Sequence, residues 1–144
     1  MDTVKVEDIF FTGLFVDNPA KLLELFPPKH SRAFAHHSTN RFKPKDTNNL
    51  EIGTKSLLKI IGRAFDEKGD AVLVENPKSE NTYPHITISC FEGVDPFYSN
   101  ELIEKAKENN SLHMFPEPLY IEVTEGYGDM EGNAILSKEY LLYG

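Results

Sequence analysis

The segment DIFFTGLFV (8–16) is almost entirely apolar and rich in aromatic and β-branched residues, the pattern of a strand buried on both faces. Asn18 and Pro19 offer a cap and a first helical residue, and AKLLELF places Leu22, Leu23 and Phe26 at helical spacing before Pro27 and Pro28 end the run. A return strand is expected through AFAHHSTNRF (33–42), then a loop through the turn-forming KPKDTNNLEIG (43–53). SLLKIIGRAF (56–65) and DAVLVE (70–75) predict two strands joined around DEKG, with Gly69 supplying the positive φ of a tight hairpin. The polar NPKSENTYP (76–84) delivers the chain to a further strand, HITISC (85–90). SNELIEKAKENN carries a helix's charge order, with Ser99 as cap and Asn109 or Asn110 as terminator. PLYIEVTEG and NAILSKEYLLY finish as two strands around the turn YGDMEG.

The order β-α-β(-β-β)-β-α-β-β makes this an α+β chain, expected to form a single domain over residues 1–144. It has one weak internal symmetry: a strand bearing a histidine motif recurs with a helix beside it in each half. At 144 residues the chain is long enough to bury roughly two-thirds of its unfolded surface. Its 40% hydrophobic and 26% charged content sets it apart from disorder-prone sequences.

No apolar run approaches the roughly 18 residues of a membrane span, and the N-terminus lacks the basic-then-apolar order of a signal peptide. The single cysteine, Cys90, cannot form an internal disulfide and is expected to be buried and inert. A monomeric cytoplasmic protein without membrane contact is the expectation. The net charge of −8 argues against binding a long nucleic-acid duplex, where affinity comes from neutralising phosphates. Between Lys29 and Arg63, however, eight basic residues face two acidic ones, so a small phosphate-bearing ligand has a stretch to which it could be drawn.

The chemistry concentrates in two strands. Residues i and i+2 of a strand share a face, their Cβ atoms roughly 7 Å apart, so His37 stands beside Thr39 and His85 beside Thr87. Ile86, Ile88 and Cys90 then point the other way, toward a core. Two such imidazole and hydroxyl pairs facing across a cleft would bring an acid, a base and two hydroxyl donors to one phosphorus. On the same parity lie Arg41, a candidate for a substrate phosphate with Lys43 next on that face, and Ser89, a candidate ligand contact. Tyr83, Phe34 and Phe42 flank the motifs and could stack a base, although core packing suits the phenylalanines better. His30 and His113 read as surface residues. No spacing of His, Cys or Glu resembles a zinc or iron signature, so neither a metal nor another cofactor is expected.

His-x-Thr occurring twice, as HST (37–39) and HIT (85–87), resembles the 2H phosphoesterase superfamily. With FTGLFVD near the start, AHHSTNRFKP around the first motif and PHITIS before YSNELI, the chain looks like the RNA-repair or tRNA-ligase-associated branch over about Phe10 to Ala106. The resemblance implies a two-lobed, duplicated β-α-β fold with antiparallel sheets flanking a central cleft. It also implies metal-independent acid/base catalysis by His37 and His85, with Thr39 and Thr87 on the phosphate oxygens. The substrates implied are small nucleotides or RNA ends: 2′,3′-cyclic phosphates, 2′-5′ linkages, or the cyclic oligonucleotide signals opened by some viral members. A non-catalytic nucleotide-binding module is the remaining alternative. Two features depart from the family pattern. Asn40 stands where many members carry an apolar residue, and His36 with Ser38 offers a second His-x-Ser/Thr reading on the opposite face.

Overall fold

The computed structural model describes residues 4–137. A short 3-10 turn, Val6–Asp8, leads into β1 (Ile9–Val16). The Asn18 side chain accepts from the Lys21 N–H and so caps α1 (Pro19–Leu25), with Pro19 where its missing N–H costs nothing. After Pro27 and Pro28 the chain forms the two-residue β2 (Arg32–Ala33) and then β3 (His37–Phe42). β4 (Lys55–Phe65) and β5 (Gly69–Glu75) make the expected hairpin, and β6 (His85–Cys90) carries the second motif. Gly69 does not adopt positive φ; a Cβ there would lie 2.9 Å from the Tyr98 ring, so close packing is what requires glycine.

α2 (Ser99–Glu108) comes directly after a 3-10 turn, Pro96–Tyr98, whose cap is Asp95 rather than Ser99. The Ser99 hydroxyl turns inward to Thr87 instead. Asn110 takes a φ of 60° just past the helix end. β7 (His113–Asp129) is the longest strand, and β8 (Ala134–Ile135) returns along it. From residue 138 the expected final strand lies outside the described residues.

Among the described residues all strand pairings are antiparallel and belong to one eight-stranded sheet, in the order β2-β6-β5-β4-β7-β1-β3 with β8 on β7. The ends of this order meet. The N–H groups of Phe34 and Ala35 donate to Ile88 and Thr87 of β6, while the His36 carbonyl accepts from Val16 of β1. The sheet therefore curls back on itself, and its inner face forms one cluster drawn from β1, β4, β5, β6 and β7, plugged by Leu22 of α1 and by Phe26 just past its end. α2 lies outside, on Ala64, Ala71 and Leu73, through Leu102, Ile103 and Ala106.

The two motif strands share an irregularity. On β3, His37, Ser38 and Thr39 stand opposite Phe15, Leu14 and Gly13, after which one residue is skipped and Arg41 meets Thr12. On β6, His85, Ile86 and Thr87 stand opposite Leu73, Val72 and Ala71, after which one residue is skipped and Ser89 meets Asp70. Each is a β-bulge placed just after the threonine, and each reverses the facing of the strand residues beyond it. At the first bulge a Cβ on Gly13 would lie 2.7 Å from the Ser38 carbonyl oxygen. Gly13→Ala must push β3 away from β1, and in urea denaturation it should cost about 1–3 kcal/mol.

Beyond the second bulge, Ser89 is wholly buried and its hydroxyl donates to Asp70 (2.8 Å). Asp70 also receives two bonds from the Arg63 guanidinium, both 2.9 Å, and one from the Lys29 N–H. Arg63 reaches on to the Pro27 carbonyl (2.8 Å) and lies over the Phe26 ring. This buried pair ties β4, β5 and β6 to the segment between α1 and β2. His30, expected at the surface, is half-buried here, with a ring nitrogen donating to the Asp66 carbonyl (2.8 Å).

Candidate active site

β6 and the segment 34–35 are zipped together by backbone hydrogen bonds up to Ala35, whose φ of 61° is unusual for a residue with a side chain. There the chain leaves β6 and joins β1, so β3 and β6 part like the arms of a fork. The opening is a cleft of about 380 Å³, and His37, Thr39, His85 and Thr87 all line it. Ser38 is fully buried behind β3, and His36 is exposed at the rim, edge-on to Phe34. Only the pair at 37 and 39 therefore presents both its groups to the opening.

The two histidines differ in their support. The His37 ring stacks on Phe11 (4.3 Å between centroids) and lies against Phe15 (5.4 Å). Burial, followed by the like charges of His36 and His85, lowers its pKa from 6.5 to about 4. His85 is buried, and its Nδ1–H donates to the Tyr83 carbonyl (2.8 Å), which leaves Nε2 as the nitrogen available to the cleft. Burial lowers its pKa as well, but the carbonyl bond favours the charged ring and works against that.

The threonines differ too. The Thr87 hydroxyl pairs with Ser99 Oγ (2.8 Å) and donates to the Pro96 carbonyl (3.3 Å), which fixes it beside the first residue of α2, where the helix carries partial positive charge. No side-chain hydrogen bond engages the Thr39 hydroxyl among the described residues, while its carbonyl accepts from Ser79 Oγ.

Aromatic rings frame the cleft on both sides. Phe10 and Phe42 stand edge to face (5.0 Å) at the β1 and β3 rim, and Phe34 and Phe97 line the β6 side. Phe42 is 57% exposed and Phe97 76%, so these rings are not core, contrary to what the sequence suggested for Phe42. No lysine or arginine lines the cleft among the described residues. Lys43 lies over Phe10 and Phe42, and Arg32 over Phe34.

Three expected contacts are absent from the cleft. Arg41 is turned by the first bulge to the opposite face, where it binds Asp46 (2.9 Å) and approaches Glu80 (3.7 Å). Ser89 is turned by the second bulge into the Asp70 network. The Tyr83 ring packs among the α2 contacts under Lys107, and only its backbone carbonyl serves the site. The basic stretch is likewise dispersed, since Lys55, Lys59 and Arg63 are paired with Asp17, Glu75 and Asp70.

Among the described residues no three His, Cys, Asp or Glu side chains converge so as to hold a metal ion, and no helix is long and apolar enough to cross a membrane. No protein-family model matches this chain, and no curated protein matches it either.

Proposed function

We propose that this chain is a phosphodiesterase of the 2H type, acting on a diester flanked by nucleosides through His37 and His85. The observation that carries the reading is the shared lining of one cleft by two His-x-Thr pairs held in the same strand register. That register, repeated about both threonines, also supports a duplicated, two-lobed origin for the fold.

His37 is the base. It has the strongly depressed pKa and no stabilising partner for a proton, so it is neutral and takes the proton from the attacking water or ribose hydroxyl as the new P–O bond forms. His85 is the acid. Its carbonyl bond supports the imidazolium, and its proton goes to the departing oxygen as the old P–O bond breaks. The bound phosphate's negative charge favours that proton. Thr39 donates its unengaged hydroxyl hydrogen to one non-bridging oxygen, and Thr87 donates to the other once its hydrogen turns from the long bond to the Pro96 carbonyl, with Ser99 donating to it. A cleft with aromatic rings on both sides and no lysine or arginine suits a singly charged diester with a base on each side better than a terminal phosphate.

The test is turnover in the presence of a chelator, with products identified by phosphorus NMR. The panel comprises 2′,3′-cyclic mononucleotides, 2′-5′ dinucleotides and cyclic dinucleotides. Substrates with two bases should react about tenfold faster or more, since each stacked base contributes on the order of 1–3 kcal/mol. The kcat/KM profile should be bell-shaped with its optimum below neutrality, rising through about pH 4 as His37 loses its proton and falling below the usual histidine range as His85 does. Binding without turnover, unchanged across that range, would instead identify a nucleotide-binding module.

A further inference from the structure

Asn40, the residue out of keeping with the family pattern, has a partner. Asn40, Ser38 and Asn76 are all buried, and the Asn76 amide donates to Asn40 Oδ1 (2.7 Å) and Ser38 Oγ (3.1 Å). Asn76 is the first residue after β5 and opens the loop that ends at His85. The same loop grips the β3 backbone: Ser79 Oγ donates to the Thr39 carbonyl and the Glu80 N–H to the Asn40 carbonyl, each at 2.7 Å. Ser38 and Asn40 alternate with His37 and Thr39, so these bonds act on the back of the strand that carries the first catalytic pair.

Among the described residues β3 is laddered only to β1, and the chain leaves β6 at Ala35 before β3 begins, so strand pairing does not set how far the fork opens. We infer that Asn76 does, as a positioning residue that holds the His37 arm at a fixed distance from the loop delivering His85. The inference rests on the reading of those histidines as an acid and base pair. A neutral amide suits the role. The two bonds it donates are directional where an apolar contact would slide, its oxygen accepts from the Lys78 N–H of the same loop, and it keeps its charge state across the range in which the histidines titrate.

Asn76→Ala should lower kcat on the order of 10²-fold, the usual cost of a small misplacement, with KM changed less than about threefold. A second readout needs no substrate. The charged groups facing His37 are His36 and His85, and Phe11 and Phe15 are neutral, so a wider fork should move the His37 NMR titration up toward the ordinary histidine range. Asn40→Leu/Asn76→Leu removes the amide pair together, leaves the Ser38 hydroxyl as the one side chain of the trio without its partner, and should behave the same way in a folded protein. Ala106→Gly, at the far end of α2, should change neither readout. If the double leucine variant folds and keeps the parent's kcat and His37 titration, the positioning role is overturned. If the His37 titration moves but the parent turns over no diester, the positioning stands and the catalytic reading fails.

Discussion

Alanine at either histidine should lower turnover of a two-base diester by roughly 10²–10⁴-fold, the usual contribution of a positioned acid or base. The two losses should nevertheless respond differently to the leaving group. In the proposed mechanism His85, held by the Tyr83 carbonyl, supplies a proton to the departing oxygen, and a nitrophenolate-type leaving group departs without one. An activated aryl ester should therefore restore most of the rate to His85→Ala. It should not help His37→Ala, whose missing step is deprotonation of the nucleophile. Parallel initial-rate measurements on a natural diester and its aryl analogue decide the matter. Equal recovery in both variants, or recovery only in His37→Ala, would reverse or remove the assignment.

The largest stability effect is expected away from the cleft. Asp70 is completely buried and Arg63 nearly so, and their two 2.9 Å bonds are joined by bonds from Ser89 and the Lys29 N–H. Asp70→Ala leaves a guanidinium with little water and no counter-charge, for a loss of about 3–5 kcal/mol. Arg63→Ala strands the carboxylate and should cost a similar amount. Urea denaturation of both single variants and of the double variant would show whether they share one network. If they do, the double loss falls well short of the sum of the single losses. Losses below about 1 kcal/mol would mean that the pair is solvated in solution.

Hydrophobic patterning was enough to locate β1, α1, the β4–β5 hairpin and α2, because each is a run whose period or apolar content has few alternatives. The two His-x-Thr pairs were legible for the same reason, since residues two apart in an unbroken strand share a face. The sequence pattern predicts unbroken strands, and neither motif strand is unbroken. A skipped residue after each threonine has no sequence signature, and it sent Arg41 and Ser89 to the wrong face. Ser99 looked like a cap because its spacing from the helix was right, but Asp95 and the 3-10 turn already provide that start. The Tyr83 contribution comes from its carbonyl, which every residue carries, and so could not be picked out. Asn76 reads as an ordinary turn residue before Pro77. Only its partner was visible, as a polar side chain at position 40 where an apolar one was expected.

The curled sheet also bears on how the protein behaves among its own copies. A long open strand edge is a template on which another chain can add and aggregate. Here β2 is two residues long, and β3 is covered on its open side by bonds from the segment 76–80. The loop that frames the cleft thus also shields an edge from intermolecular pairing. Variants that lengthen this loop to widen the cleft would strip that protection from β3, so cleft size and colloidal solubility are tied to the same few residues.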